Sequence, residues 1–134
     1  MYGSLEISTS GLVAQRARLT VASTNVANAR TILNADGEYE PFRRRFAVLG
    51  VGDPERGAVG GVHVASIEID DGPLRAEFDP DSPYADEQGY VYYPNIDPVI
   101  EQMNSMVALR AYEANVAAIE ASKSMISVAL QILA

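Results

Sequence analysis

The chain has 134 residues, enough for one domain with extended arms and a modest core. A hydrophobic share of 48% with 21% charged residues argues against wholesale disorder, while a net charge of −8 makes nucleic acid and anionic membrane surfaces poor partners. There is no cysteine, so disulfides, thiol nucleophiles and thiolate metal sites are excluded together.

Turn-forming residues divide the chain in three. All seven prolines fall between Pro41 and Pro98, and glycine is concentrated between Gly37 and Gly89. Residues 1–33 and 98–134 therefore read as helices flanking a β-rich middle at 34–97, an α+β arrangement. The N-terminal helix repeats Leu5, Leu12, Leu19 and Val26 at a spacing of seven, as in a coiled coil. Its other face is small, with Ser10, Ala14, Ala17, Val21 and Thr24, and Gly11 marks either close approach of a neighbour or a break. The N-terminus lacks a basic start and a continuous apolar run, so no Sec-type signal is expected.

In the middle segment, Leu74, Ala76 and Phe78 alternate with Arg75 and Glu77, the pattern of a half-buried strand. Val62 and Val64 set one phase and Ile67 and Ile69 the other, which predicts a bulge near Ser66. Phe46, Val48 and the Tyr90 to Tyr93 run are further strand candidates, and Asp71-Gly72-Pro73 predicts a turn from the second strand into the third.

The C-terminal helix starts with Asp97 as N-cap and Pro98 in its first turn. It carries two apolar stripes. The first runs Ile100, Asn104, Val107, Ala111, Ala114, Ala118, Ala121, Met125, Val128 and Ile132, and the second Leu109, Tyr112, Val116, Ile119, Lys123, Ile126, Leu130 and Leu133. Their offset is roughly 200° around the helix. A surface helix needs one apolar face, so this one is expected between two layers, one of them supplied by other molecules. Since no stretch approaches 18 consecutive apolar residues, a membrane-spanning helix and direct membrane insertion are not expected. The arms carry opposite charge: Glu6 against Arg16, Arg18 and Arg30 gives +2, and Asp97, Glu101, Glu113 and Glu120 against Arg110 and Lys123 gives −2. That balance favours pairing of the arms. Asn25, Asn28, Asn104 and Asn115 are amides on apolar helices, read either as register-setting buried groups or as solvent-facing ones. Arg110 and Glu113, three apart, read as a surface pair.

Catalytic and metal chemistry find little footing. His63 is the single histidine and reads as an ordinary strand residue; no serine stands in a Gly-x-Ser-x-Gly setting; Gly50-Val51-Gly52 is followed by no helix start. Asp79, Asp81, Asp86 and Glu87 invite a calcium reading, but Pro80 and Pro83 interrupt them and their spacing fits no EF-hand, so a solvated turn is expected. No enzyme activity and no cofactor are expected.

Taken together, Ser10-Gly11-Leu12, Asn25-Val26-Ala27-Asn28 with Thr31, and Leu109-Arg110-Ala111-Tyr112-Glu113-Ala114-Asn115-Val116 resemble the pattern of the bacterial flagellar rod and hook proteins. Asp86-Glu87-Gln88-Gly89-Tyr90-Val91 followed by Pro94-Asn95-Ile96 looks most like the proximal-rod group. Thr24 stands where that pattern has a second Asn, and Ala35 to Arg45 lies outside the motifs that carry the resemblance. The resemblance implies a non-enzymatic structural subunit, exported by the flagellar type III apparatus without a cleaved signal. It would polymerise helically in the periplasmic rod with copies of itself, other rod proteins and the basal-body ring at the rod base. The implied assembly residues are Leu5, Leu12, Leu19, Asn25, Val26, Asn28, Leu109, Arg110, Tyr112, Ala114, Asn115, Val116, Ala118, Ile119 and Met125. The competing expectation is a stand-alone helical adaptor that binds one partner through the second stripe; a third, a calcium-regulated module, rests only on the acidic turn.

Overall fold

The computed structural model describes residues 2–53 and 57–133, so Met1 and Ala134, at the ends of the two arms, lie outside the described residues. The order is α1 (Tyr2–Ala27), β1 (Arg45–Asp53), β2 (Ala58–Ile69), β3 (Arg75–Phe78), β4 (Tyr90–Tyr93) and α2 (Pro98–Leu133). The fold is α+β, with a helix at each end and two small antiparallel sheets, β1–β2 and β3–β4, between them.

Helix α2 begins as its sequence demands. The Asp97 carboxylate accepts from the Val99 amide at 2.9 Å and the Asp97 carbonyl accepts from Glu101 N at 3.1 Å, while Pro98 occupies a position where no N–H is needed. Its 36 residues span roughly 54 Å. An 18-residue window within it has a mean hydropathy of 1.4, so by length and composition α2 is long and apolar enough to cross a membrane. This corrects the expectation drawn from the lack of an unbroken apolar run: single charges one or two turns apart interrupt the run but barely lower the average.

Helix α1 stops at Ala27, short of residue 33. Asn28 turns its amide back to the Thr24 carbonyl at 2.9 Å, and Thr31 N donates to Asn28 O at 3.1 Å, closing a turn in place of another helical one. The chain then makes a tight loop. Asn34 Oδ1 accepts from the amides of Asp36 and Glu38, both at 3.0 Å, and Gly37 takes φ of 81°.

Two contacts set the helix pair. Asn25 meets Glu101, and a Cβ on Gly11 would lie 2.7 Å from Asn115 Nδ2. The helices are therefore antiparallel, and Gly11 is the close approach, not a break. Strand β2 packs on α1 beside that seam: Ser10 Oγ accepts from Val62 N at 3.0 Å, and Gly60 and Gly61 leave room for Ile7 and Ser10. Within the chain, α1 is thus covered by both α2 and β2. A larger residue at position 11 must displace Asn115 from its bond to Ala111 O at 3.0 Å. Gly11→Val is expected to cost about 1–3 kcal/mol in urea unfolding, and Asn115→Ala should recover much of that loss.

Strands β1 and β2 pair Val48 with Ser66 and then Leu49 with Val64, so Ala65 is the extra residue of a bulge where the phase of the sequence changes. Turn Asp70 to Gly72 is closed by Gly72 N donating to Asp70 Oδ1 at 2.9 Å, but it joins two separate sheets and not neighbouring strands. Strand β3 is exposed at all four positions, against the half-buried expectation. Its alternation marks an apolar face that stays largely open, with Phe78 meeting the Tyr90 ring edge-on at 5.4 Å. His63 serves the ribbon, with Nδ1 2.7 Å from Gly52 O and its ring over Gly50.

The free edge of β4 is filled by side chains. The Tyr39 hydroxyl accepts from Tyr92 N at 2.9 Å and donates to Tyr92 O at 3.2 Å; Asp86 Oδ1 accepts from Tyr90 N and Gln88 N, both at 2.9 Å. An unpaired edge invites another strand, and these groups close it. The Tyr90 amide, helped by Gln88 N, the Tyr92 hydroxyl and Gly89 N, holds the Asp86 carboxyl below the ordinary aspartate range, and Asp86 in turn raises the Tyr92 phenol. A folded-state pKa below the unfolded one means this support is complete above about pH 4 and fades as pH falls through the lower, folded value. The Gln88 and Tyr90 amide resonances are expected to shift together in that acid range, and Asp86→Ala should abolish the transition.

Candidate assembly surface

The residues of α2 that face α1 lie beside the first apolar stripe and take in Tyr112 and Ile119 of the second. They run Glu101, Ser105, Ala108, Tyr112, Asn115, Ile119 and Ser122, alternating steps of four and three, and all are buried or half-buried. Small and polar side chains here let the helices approach closely. The first stripe is then left at one flank of the seam, and the second overlaps its other edge. On the first, Ile100, Val107, Met125, Val128 and Ile132 are exposed, Met125 by 62% and Ile132 by 79%; on the second, Leu109, Leu130 and Leu133 are exposed while Tyr112, Val116, Ile119 and Ile126 are half-covered. The buried apolar residues, by contrast, are mostly alanines: Ala14, Ala22, Ala29 and Ala108, with Val21, Val91 and Ile96. Among the described residues, more large apolar side chains are in water than in the core.

A polar node fixes the geometry of the two arms. Asn25 is 0% exposed and spends its whole amide: Oδ1 accepts from Arg45 N at 2.9 Å, and Nδ2 donates to Arg45 O at 2.8 Å and to Glu101 Oε2 at 3.1 Å. Glu101, 2% exposed, receives Arg44 Nε at 2.5 Å. One asparagine thus ties α1 to β1 and α2 at once. Its Oδ1 and Nδ2 replace the peptide partner that Arg45, at the first position of β1, would otherwise lack.

The expected assembly residues divide by position. Asn25 is buried in the node; Leu5, Leu12, Leu19, Val26 and Asn28 on α1 and Tyr112, Asn115, Val116 and Ile119 on α2 are half-buried; Leu109, Arg110, Ala114, Ala118 and Met125 are exposed. Asn25 is therefore a register-setting amide inside the chain. Asn104 is half-buried beside it, and Asn28 and Asn115 bond back to their own helices. No ion pair joins α1 to α2 among the described residues: Glu101 pairs with Arg44, and Arg30 with Glu77 at 3.6 Å. The opposite charge of the arms is thus not spent on each other, and Arg110 and Glu113 do not pair either. Sequence reasoning counted Glu101 only as charge on the arm and missed its pairing with Arg44. The available signal was a carboxylate one turn past the N-cap, which reads equally well as a response to the helix dipole.

Beside the node, α1, β1 and α2 enclose an open cleft of about 190 Å³, lined by Arg18, Val21, Arg44, Arg45, Phe46 and Asn104 among others.

Comparison with known proteins places this architecture. Residues 87–132, which include β4 and nearly all of α2, match the family described as flagellar basal body rod FlgEFG protein C-terminal. The flagellar basal-body rod protein FlgC of Salmonella typhimurium is 41% identical over 120 residues, covering 90% of this chain and 88% of that protein. FlgC of Borreliella burgdorferi is 39% identical over 150 aligned positions, covering 99% and 97%, and that of Bacillus subtilis 37% over 145, covering 98% and 97%. With such identities sustained along nearly the whole of both partners, the chain belongs to the family of the flagellar basal-body rod protein FlgC.

Proposed function

We propose that this subunit of the flagellar basal body builds the proximal rod by polymerising helically through the open flanks of its terminal helices. The observation that carries the reading is the exposed first stripe of α2, from Ile100 through Val107 and Met125 to Ile132. Each large side chain buried there contributes about 1.5–3 kcal/mol, so a handful suffices to offset the roughly 4–15 kcal/mol entropic cost of association. Protein is a better cover for α2 than lipid. Arg110, Glu113, Glu120 and Lys123 on the same helix would each cost up to roughly 2.5–3.5 kcal/mol near a bilayer centre, and the seam with α1 would have to be given up.

In this reading the chain carries load and performs no chemistry. Torque passes along the helical arms by side-chain packing, the β-rich middle lies outward, and neighbours are copies of the chain, other rod proteins and the ring at the rod base. Delivery is by the flagellar type III export apparatus into the periplasmic space. The test is deletion of the gene in its own organism followed by isolation of basal bodies. Rods are expected to be missing and swimming lost, and re-expression should restore both; intact rods in the deletion strain would sink the proposal. A purified chain that forms only a one-to-one complex with a single partner would favour the adaptor instead.

A further inference from the structure

The cleft beside the polar node is positively charged in an acidic chain. Its ionised lining is Arg18, Arg44 and Arg45 against Glu101, three positive charges less one, or +2. Arg44 is taken by Glu101. Arg18 donates to the neutral amide of Gln15 at 3.0 Å, Arg45 lies over the Phe42 ring at 5.4 Å, and neither meets a carboxylate among the described residues. The cleft is bounded by residues of two helices and a strand, and straight elements around it suit a straight occupant better than a loop.

The complementary surface is on the far side of α2. Glu113 and Glu120 are exposed, have no ion-pair partner among the described residues, and stand seven apart, so they share one face roughly 10 Å from each other. That face points away from the seam with α1; Met106 and Leu109 are exposed beside it, and Arg110 and Lys123 each stand three residues from one of the two carboxylates. It cannot reach the cleft of its own chain, because α2 forms one wall of that cleft with a different face. We infer that the cleft receives the outer face of α2 from a second copy, with Glu113 and Glu120 set against Arg18 and Arg45. This rests on the polymer reading above and adds a specific register to it. Apolar stripes alone permit a slip of one heptad, whereas two charges facing two charges penalise the shifted pairing.

Carboxylates also gather in two curved segments, the loop carrying Asp36, Glu38 and Glu40 and the acidic turn from Asp79 to Glu87. Asp86 in the turn already accepts from three groups, and both segments are curved, so they are the poorer occupants.

The experiment is charge reversal in the native organism. Glu113→Arg with Glu120→Arg is expected to abolish rod formation and swimming, as is Arg18→Glu with Arg45→Glu, and the fourfold variant should regain both. All three chains should keep the wild-type circular dichroism when purified. Rods and swimming that survive the acidic reversal, or a folded fourfold variant as defective as either pair, would overturn the inference. Rescue of the basic reversal by Asp79→Arg with Asp81→Arg would overturn it too, by assigning the cleft to the turn. The broader reading fails separately, when deletion of the whole gene leaves the rod intact.

Discussion

Replacing Arg44 by Met is expected to lower the stability of the isolated chain by about 3–5 kcal/mol, the largest loss foreseen for any single side chain. The reason lies in which partner is left behind. The Glu101 side chain is 3% exposed, and without the guanidinium at 2.5 Å its charge retains a side-chain hydrogen bond only from Asn25 Nδ2 at 3.1 Å. A carboxylate stranded in that way has lost its water and its counter-charge together. Removing Glu101 instead should cost less. Arg44 has a side chain 27% exposed and a second carboxylate, Asp70, at 3.9 Å, so it can turn toward water and that neighbour. The double replacement Arg44→Met with Glu101→Leu is expected to be milder than Arg44→Met alone, because no charge is then buried unpaired. Urea unfolding followed by circular dichroism on the two single variants and the double decides the matter. A loss below about 1 kcal/mol for Arg44→Met would show that Glu101 is not held by the pair.

How much of this was legible in the sequence depends on whether the signal was local. The Asp97 cap, the start of α2 and the bulge beside Ser66 were readable, because each is written in residues a few positions apart. The small face of α1 was readable too, and it is where β2 lies, with Ser10 bonded to Val62. The seam between the helices was not. Apolar periodicity pointed to two stripes, while the helices meet along Glu101, Ser105, Ala108 and Asn115, with only Tyr112 and Ile119 of the second stripe among them. Polar residues enter such a seam only when their partners come with them. The partner of Glu101 is Arg44, 57 positions away, and no window of sequence shows that pair. Strand β3 teaches the complementary lesson. Alternation identifies an apolar face but not whether the same chain supplies its cover, and here Phe78 remains 64% exposed. The surplus of apolar surface on α2 is the same phenomenon on a larger scale, and the polymer reading proposed above rests on it.

Ala118→Asp should separate folding from assembly. Ala118 lies on the first stripe, exposed, and away from the seam with α1. In the isolated chain the new carboxylate stays in water, so the expected change is the difference in helix propensity, within about 1 kcal/mol. In a packed polymer the same position is dehydrated, and an unpaired charge there costs several kcal/mol. At 1.4 kcal/mol per factor of ten, a penalty near 4 kcal/mol weakens each contact about a thousandfold, and a helical assembly multiplies that loss along its length. Urea midpoints close to wild type together with basal bodies that lack the rod are therefore expected. Ala118→Ser, which adds a hydroxyl of similar size without charge, should assemble with at most a mild defect. Ala114→Asp, one helical turn away on the same stripe, should behave as Ala118→Asp does. Normal rods built from either aspartate variant would mean that this flank of α2 faces solvent in the assembled state, and the contact surface would then have to be sought on the second stripe, around Leu109 and Leu130.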